Sequence, residues 1–327
     1  MTLTVCRICG NENDNPTYQV KELMFSFGDE FTYFECSSCG CLQIMDFPRD
    51  ISMYYPRGYY SFSKPVSIIS LSYVQSIIAQ FLRQRRTSYA LYRRGIIGKI
   101  VTTLFPDEAA FSLSNINLTK DTKILDVGCG SGNFLYSLKQ IGFRNLLGVD
   151  KFIERDIRYA NGLRIRKASL EDVKGEWDII MFNHSLEHMP NQQSTMCMVS
   201  RLLSRFGICL VNIPTVSSYA WRAYKTYWVQ LDAPRHYFLH SIDSFKLLAK
   251  KAGLEIKCVL YNSTGFQFWG SEQYTMGIPS GSNRSFLRNS IFPIFSLHRL
   301  RLRQRAIEIN RINQGDQAAF YLAKKGD

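Results

Sequence analysis

The sequence predicts an α/β protein: a doubly wound, mostly parallel sheet of seven strands behind a small N-terminal metal ribbon and a set of basic helices. Three observations carry this. From Thr122 onward, strand-like and helix-like segments alternate, which is the pattern of a parallel sheet covered on both faces. The first such strand runs into a glycine turn, ILDVGCGSGNFL, at 124–135. Two Cys-x-x-Cys pairs precede it, Cys6/Cys9 and Cys36/Cys39.

The alternation reads as follows. KILDVG is a strand, GNFLYSLKQIG a helix closed by Gly142, and NLLGVD the next strand. RIRKASL holds a short strand and WDIIMFN a longer one. QQSTMCMVSRLLSR is a helix, GICLVNIP a strand, SIDSFKLLAKKAG a helix, and EIKCVLY and AAFYLAKK the last two strands. The boundaries that follow are a ribbon over 1–50, an aromatic linker and basic amphipathic helices over 51–121, and the α/β domain over 122–327. An insertion at about 263–315 interrupts that domain.

The two cysteine pairs each end in glycine, Gly10 and Gly40, as tight metal knuckles do. Four thiolates make a closed tetrahedral zinc site with no open position, so the expected role is structural. Redox or disulfide pairs are the alternative, weakened by the absence of a secretory signal in MTLTVCRICG. Cys41 is expected to be a bystander.

Net charge is +13, and it is concentrated. Residues 51–106 hold eight basic residues and no acidic one; residues 280–315 hold seven arginines against Glu308. Between 66 and 105, Leu71, Val74, Ile78, Phe81 and Leu82 fall at helical spacing, followed by Arg83, Arg85, Arg86, Arg93 and Arg94. Such fields suit a phosphate, an acidic glycan, nucleic acid or an anionic membrane surface, and solvated helix faces are the plainer reading. The longest uncharged run, Pro65–Leu82, is too polar to span a bilayer. The expectation is a cytoplasmic protein, soluble or peripheral to the inner face of the membrane.

The glycine turn points to a ligand. A dinucleotide fingerprint needs a glycine where Asn133 stands. What stands instead is Asp126, then Gly128, Gly130 and Gly132 at alternate positions, with Asp150 ending the next strand. Alternate glycines let the backbone lie against a bulky ligand. Asp126 suits an ammonium, and Asp150 can accept two ribose hydroxyls. An ammonium and a ribose without a phosphate describe S-adenosylmethionine.

At this point the sequence resembles a known family, the class I S-adenosylmethionine-dependent methyltransferases, over about 122–325. The carriers are LDVGCGSG, GVD, WDIIMFNHSLEHM, GICLVNIP and DAPRHYFLHS. The layout is similar to a bacterial subgroup with a zinc-ribbon N-terminus, often implicated in methylating cell-surface glycans or secondary metabolites. The resemblance implies a Rossmann-like fold in which Gly128, Gly130 and Gly132 line the methionine and ribose, and Asp150 binds the ribose hydroxyls. It further implies that Lys151 and Phe152 flank the adenine, Ser169 and Leu170 meet its edge, and Asn183 lies under the cofactor. Two departures matter. The adenine-edge position is often acidic but is Ser169 here. The further C-terminal domain of long sugar C-methyltransferases is not expected here, which makes C-methylation the less expected chemistry.

Methylating a sugar hydroxyl needs a base. Of the five histidines, His236 in the loop LDAPRHY is the candidate, supported by the recurrent histidine that the resemblance implies there; a structural hydrogen-bonding role is the alternative. Arg235 could hold an acceptor phosphate or carboxylate. His188 is expected to pack near the cofactor or steady a loop, His184 could face the cofactor, His240 precedes a helix capped by Ser241, and His298 is incidental. Trp221, Tyr224, Tyr227, Trp228, Trp269 and Tyr274 could stack on a sugar or simply pack in the core. The leading reading is an O-methyltransferase of a sugar, nucleotide-sugar or lipid-linked glycan. An RNA methyltransferase using the basic segments and ribbon, or a non-catalytic cofactor-binding protein, are the alternatives.

Overall fold

The computed structural model describes residues 4–56, 73–286 and 297–326. The chain first forms β1 (Thr17–Lys21), β2 (Glu30–Glu35) and β3 (Leu42–Ile44), then α1 (Tyr73–Tyr92), α2 (Ile96–Leu104) and α3 (Glu108–Leu113). Next come β4 (Ile124–Val127), α4 (Asn133–Gln140), β5 (Leu146–Val149), β6 (Ile157–Arg158), β7 (Arg164–Arg166) and β8 (Trp177–Asn183). Then follow α5 (Gln192–Leu202), β9 (Leu203–Pro214), α6 (Tyr219–Tyr224), β10 (Phe238–Leu239), α7 (Ile242–Lys251) and β11 (Leu254–Tyr261). The chain ends with α8 (Phe266–Thr275), α9 (Leu297–Arg311) and β12 (Gln317–Lys324). All seven strands expected of the α/β domain are present, and the two-residue β6 adds an eighth that no sequence pattern announced. The expected insertion contains α8 and α9. Most of the aromatic linker, together with Leu71 and Arg288, lies outside the described residues.

The chain divides into two compact units. One comprises residues 56–185, 198–212 and 321–327. In it, β9, β8, β4, β5 and β7 lie side by side in that order, all parallel, and β6 pairs antiparallel with β7. Parallel strands covered by helices on both faces read as unbroken apolar runs. Accordingly, every residue of β4 is buried, as are Ile179–Phe182 of β8. The basic segment, expected to form one or two amphipathic helices, forms α1 and α2, and α1 packs against α2, α3 and α4. Asp107 caps α3 by accepting a hydrogen bond from the Ala110 amide.

The other unit comprises residues 1–55, 186–197 and 213–320. Its antiparallel sheet runs β1-β2-β3-β10. The fourth strand of the ribbon sheet thus comes from a segment some two hundred residues away in sequence. Phe238 and Leu239 pair with Gln43 and Leu42, and Trp221 and Trp228 pack into the same core as Tyr33, Phe34 and Leu42. Ser241 accepts from the Ser244 amide to cap α7, while Lys250 and Lys251 sit in its last turn, where cations suit the helix dipole. A smaller core joins α8 to α9 through Phe268, Trp269, Leu302, Ala306 and Ile309.

Candidate active site

The carboxyl ends of the parallel strands carry the residues expected to hold the cofactor, which is where ligands bind in such sheets. Asp126 lies in β4, Asp150 follows β5, Ser169 follows β7, and Asn183 ends β8. Gly128, Gly130 and Gly132 all adopt left-handed backbone, with φ of 74°, 56° and 78°. Gly128 has a second constraint, since a Cβ there would come within 2.4 Å of the Ser185 Cβ. Ser185 in turn donates to the Val127 carbonyl at 2.6 Å.

Asp150 ties the two turns together. Its Oδ2 accepts from the Gly130 amide and its Oδ1 from the Phe152 amide, both at 2.8 Å. Each oxygen keeps a further lone pair for a hydroxyl. Lys151 Nζ lies 4.8 Å from the centre of the exposed Phe152 ring. Ser169 donates through both its amide and its hydroxyl to Asp172 at 3.0 Å, capping the short turn that buries Leu170. Asn183 accepts from Asn212 at 3.3 Å.

Asp126 is the informative residue. It is buried, and among the described residues its Oδ1 has no hydrogen-bond partner. Burial, reinforced by the nearby Asp150 carboxylate, pushes its pKa up to about 7. Two acidic side chains beside the glycine turn disfavour an anionic ligand and favour a cationic one.

A carboxyl whose folded pKa is raised binds its proton more tightly in the folded state than in the unfolded one. Stability therefore falls as pH rises from about 4 to about 7. Buried His236 and His240, with pKa values lowered to about 4 and about 3, act in the opposite direction over the same range. Comparison with a variant isolates Asp126. Asp126→Asn should gain stability relative to the native protein as pH rises from 5 to 8, by at most about 3 kcal/mol. Urea unfolding at several pH values checks this, and parallel pH curves for the two proteins would contradict it.

The histidine cluster sits in the other unit. His236 Nδ1 lies 2.7 Å from the Gln230 carbonyl, so that nitrogen carries the proton and Nε2 is the acceptor. Nε2 is 3.8 Å from Asp232 Oδ2 and 3.9 Å from Glu187 Oε1. His188 packs edge-on against His236 with ring centres 4.7 Å apart, and its Nδ1 lies 2.8 Å from the Arg235 carbonyl. Burial, with His188 beside it, lowers the His236 pKa to about 4, against the pull of Asp232 and Glu187. The imidazole is therefore neutral at neutral pH. Glu187, His188 and His236 each offer a ligating atom within 4.8 Å of the other two, a spacing a cation would also accept.

Arg235 is not available to an acceptor, contrary to the expectation from sequence. It is fully buried and engaged by Glu22 at 2.8 Å, Asp232 at 2.6 Å and the Tyr54 carbonyl at 3.1 Å, so it holds the loop and not an acceptor. Burial alone would lower its pKa, but Asp232 and Glu22 outweigh this and keep it cationic. Tyr33 donates to the His236 carbonyl at 2.7 Å, so the ribbon sheet also braces this loop. His240 is structural, with ring nitrogens 2.9 Å from Ser244 Oγ and 2.7 Å from Gln192 Oε1. Of the aromatic candidates, Trp221, Trp228, Trp269 and Tyr274 are buried in the core, and Tyr227 is exposed. Sequence reasoning missed Glu187, Asp232 and Glu22. The first two adjoin or lie one helical turn from a histidine in SLEHM and LDAPRH, a signal available in principle.

The cysteine site unites both knuckles. Cys6 Sγ lies 3.6 Å from Cys39 and Cys9 Sγ 3.4 Å from Cys36, each contact crossing between the pairs. All four sulfurs lie within 4.8 Å of one another. Zinc–sulfur bonds of about 2.3 Å place tetrahedral sulfurs about 3.8 Å apart. Gln43 Nε2 donates to Cys6 Sγ at 2.9 Å, a support that metal-bound thiolates commonly have. The residues therefore fit a tetrahedral metal. Cys41 stands apart, its Sγ 3.9 Å from His240 Nδ1.

A family model described as a methyltransferase domain matches residues 89–259, just over half of the chain. The chain belongs to the methyltransferase domain family. It carries a domain of the S-adenosylmethionine-dependent enzyme class that the glycine turn suggested. Curated relatives include the ubiquinone biosynthesis O-methyltransferase of Rickettsia bellii, 28% identical over 108 residues, covering 30% of this chain and 45% of the relative. The mitochondrial ubiquinone biosynthesis O-methyltransferase of Saccharomyces cerevisiae is 28% identical over 121 residues, covering 33% and 38%. The chain thus spans less than half the length of the curated relatives it matches. Similar solved structures include a mycolic acid cyclopropane synthase complexed with SAH and CTAB, at 16% identity and TM-score 0.44, covering 71% of this chain and 87% of that one. A SAM-dependent methyltransferase from Archaeoglobus fulgidus is 16% identical with TM-score 0.41, covering 71% and 100%.

Proposed function

We propose that this methyltransferase moves the methyl group of S-adenosylmethionine to a hydroxyl oxygen of a sugar or glycan intermediate, nucleotide-linked or lipid-linked. The observation that carries the cofactor assignment is the buried, unpartnered oxygen of Asp126 beside the glycine turn, which suits the cofactor's ammonium. Asp150 would take the ribose hydroxyls on its remaining lone pairs, with Lys151, Phe152, Ser169 and Leu170 around the adenine and Asn183 beneath. The cofactor supplies an electrophilic methyl on a sulfonium; the chain supplies alignment and a proton acceptor.

His236 is that acceptor in this reading. Its Nδ1–H is anchored on a carbonyl, so Nε2 is aimed, and the lowered pKa keeps it unprotonated at neutral pH. Asp232 and Glu187 stand 3.8 and 3.9 Å from Nε2 and would stabilise the imidazolium as it forms. The curated relatives bear O-methyltransferase names, which supports oxygen as the nucleophile. A cytoplasmic setting fits a water-soluble cofactor; among the described residues no helix is long and apolar enough to cross a membrane.

The test is to incubate the protein with methyl-labelled cofactor and two pools from the source cell, total RNA and glycans with their lipid-linked intermediates. Label in the glycan pool supports the reading. Label confined to RNA would replace it with the nucleic-acid alternative.

Zinc at Cys6, Cys9, Cys36 and Cys39 is proposed as structural. Cys36→Ser should lose one equivalent of zinc by elemental analysis and lower the thermal midpoint, because the metal ties the two knuckles of the ribbon together. Unchanged metal content in that variant would end the assignment.

A further inference from the structure

The helix α2 packs inside out. Its sequence, IIGKIVTTL, offers isoleucines to a core, yet its buried positions are Gly98 and Thr102. Gly98 lies so close to α1 that a Cβ there would meet the Arg85 carbonyl oxygen at 2.4 Å. Thr102 donates to the Arg86 carbonyl at 3.3 Å. Small residues one turn apart thus form the seam. At 3.6 residues per turn, the opposite face is Ile96, Ile97 and Ile100. These are 78%, 48% and 56% exposed, and Phe105 just beyond the helix is 49% exposed. On the neighbouring α1, Ile77 and Ile78 are exposed as well.

The two helices and the turn between them also carry exposed cations. Arg85, Arg94 and Lys99 are exposed, and residues 51–106 contain no acidic side chain. We propose that this face docks on an anionic phospholipid surface, with the isoleucines entering the headgroup–acyl boundary and the cations meeting lipid phosphates. Pairing with a second copy of the same face would set like charges against each other. Single-stranded nucleic acid is held by aromatic side chains on which bases stack, whereas the centre of this face is aliphatic. The proposal does not depend on the acceptor or on the base assigned above.

Vesicle flotation tests it. The native protein should float with phosphatidylglycerol–phosphatidylcholine vesicles and much less with phosphatidylcholine alone. The double change Ile96→Gln, Ile100→Gln should weaken partition at least about tenfold. Arg94→Gln with Lys99→Gln should weaken it about fivefold per charge. These side chains are exposed, so thermal midpoints should stay near native and separate lost docking from lost folding. A native protein that stays at the bottom of the gradient would overturn the proposal. So would isoleucine variants that float as well as the native chain, since charge alone would then suffice, as it would for RNA. Loss of a dimer in the isoleucine variants, without any vesicle binding by the native protein, would assign the face to self-association and also overturn it.

Discussion

Arg235→Met should destabilise the protein by about 3–5 kcal/mol, the usual consequence of removing one partner from a buried ion pair. The guanidinium is the shared counter-charge of Glu22 and Asp232, and neither Arg235 nor Glu22 reaches solvent. Glu22 has further support from the Met24, Phe25 and Phe27 amides at 3.1–3.2 Å, so part of its charge remains satisfied in the variant. Asp232 has less, and its pKa, lowered by Arg235 in spite of burial, would rise once the arginine is gone. The double variant Glu22→Gln, Arg235→Met should recover part of the loss, since it removes an uncompensated charge. Urea midpoints for the single and double variants measure this, and a single-variant loss below about 1 kcal/mol would show the network to be dispensable.

His236→Ala should lower turnover about 10²- to 10⁴-fold while leaving cofactor affinity unchanged. The base belongs to the chemical step, and the residues assigned to the cofactor lie elsewhere in the sequence. The pH profile carries a second signature. A histidine with its pKa lowered to about 4 stays neutral and competent well below pH 6.5, so the acid limb of kcat/KM should fall near pH 4 to 5. Single-turnover rates across pH 4–8 would show it. An acid limb at the ordinary histidine value, or normal turnover in the alanine variant, would remove His236 from the mechanism. A second metal equivalent bound in native protein and lost in this variant would recast the cluster as a cation site.

Local chemistry made much of this molecule legible. Strands β4, β5, β8 and β9 were readable because each carries an apolar run, and the turn after β4 because glycine stands at each of its three left-handed positions. The cysteine site was readable because the knuckle spacing is itself the geometric requirement. What failed was long-range. Nothing in DAPRHYFLHS says that Phe238 and Leu239 will pair with β3, or that Glu22 will meet Arg235 across more than two hundred residues. Arg235 looked available because isolated arginines usually are; only its buried partners show otherwise. The inverted face of α2 was hidden for a related reason. Apolar spacing marks a face but not which medium it meets, and Gly98 decides that by letting the other side of the helix approach α1.

The most direct test of the account is calorimetric titration of native protein and Asp126→Asn with S-adenosylmethionine. Saturable one-to-one binding by the native chain is expected, weakened at least about tenfold in the variant by loss of a buried charge-assisted contact. No binding by the native protein, or equal affinity in the variant, would contradict the placement of the cofactor's ammonium at Asp126.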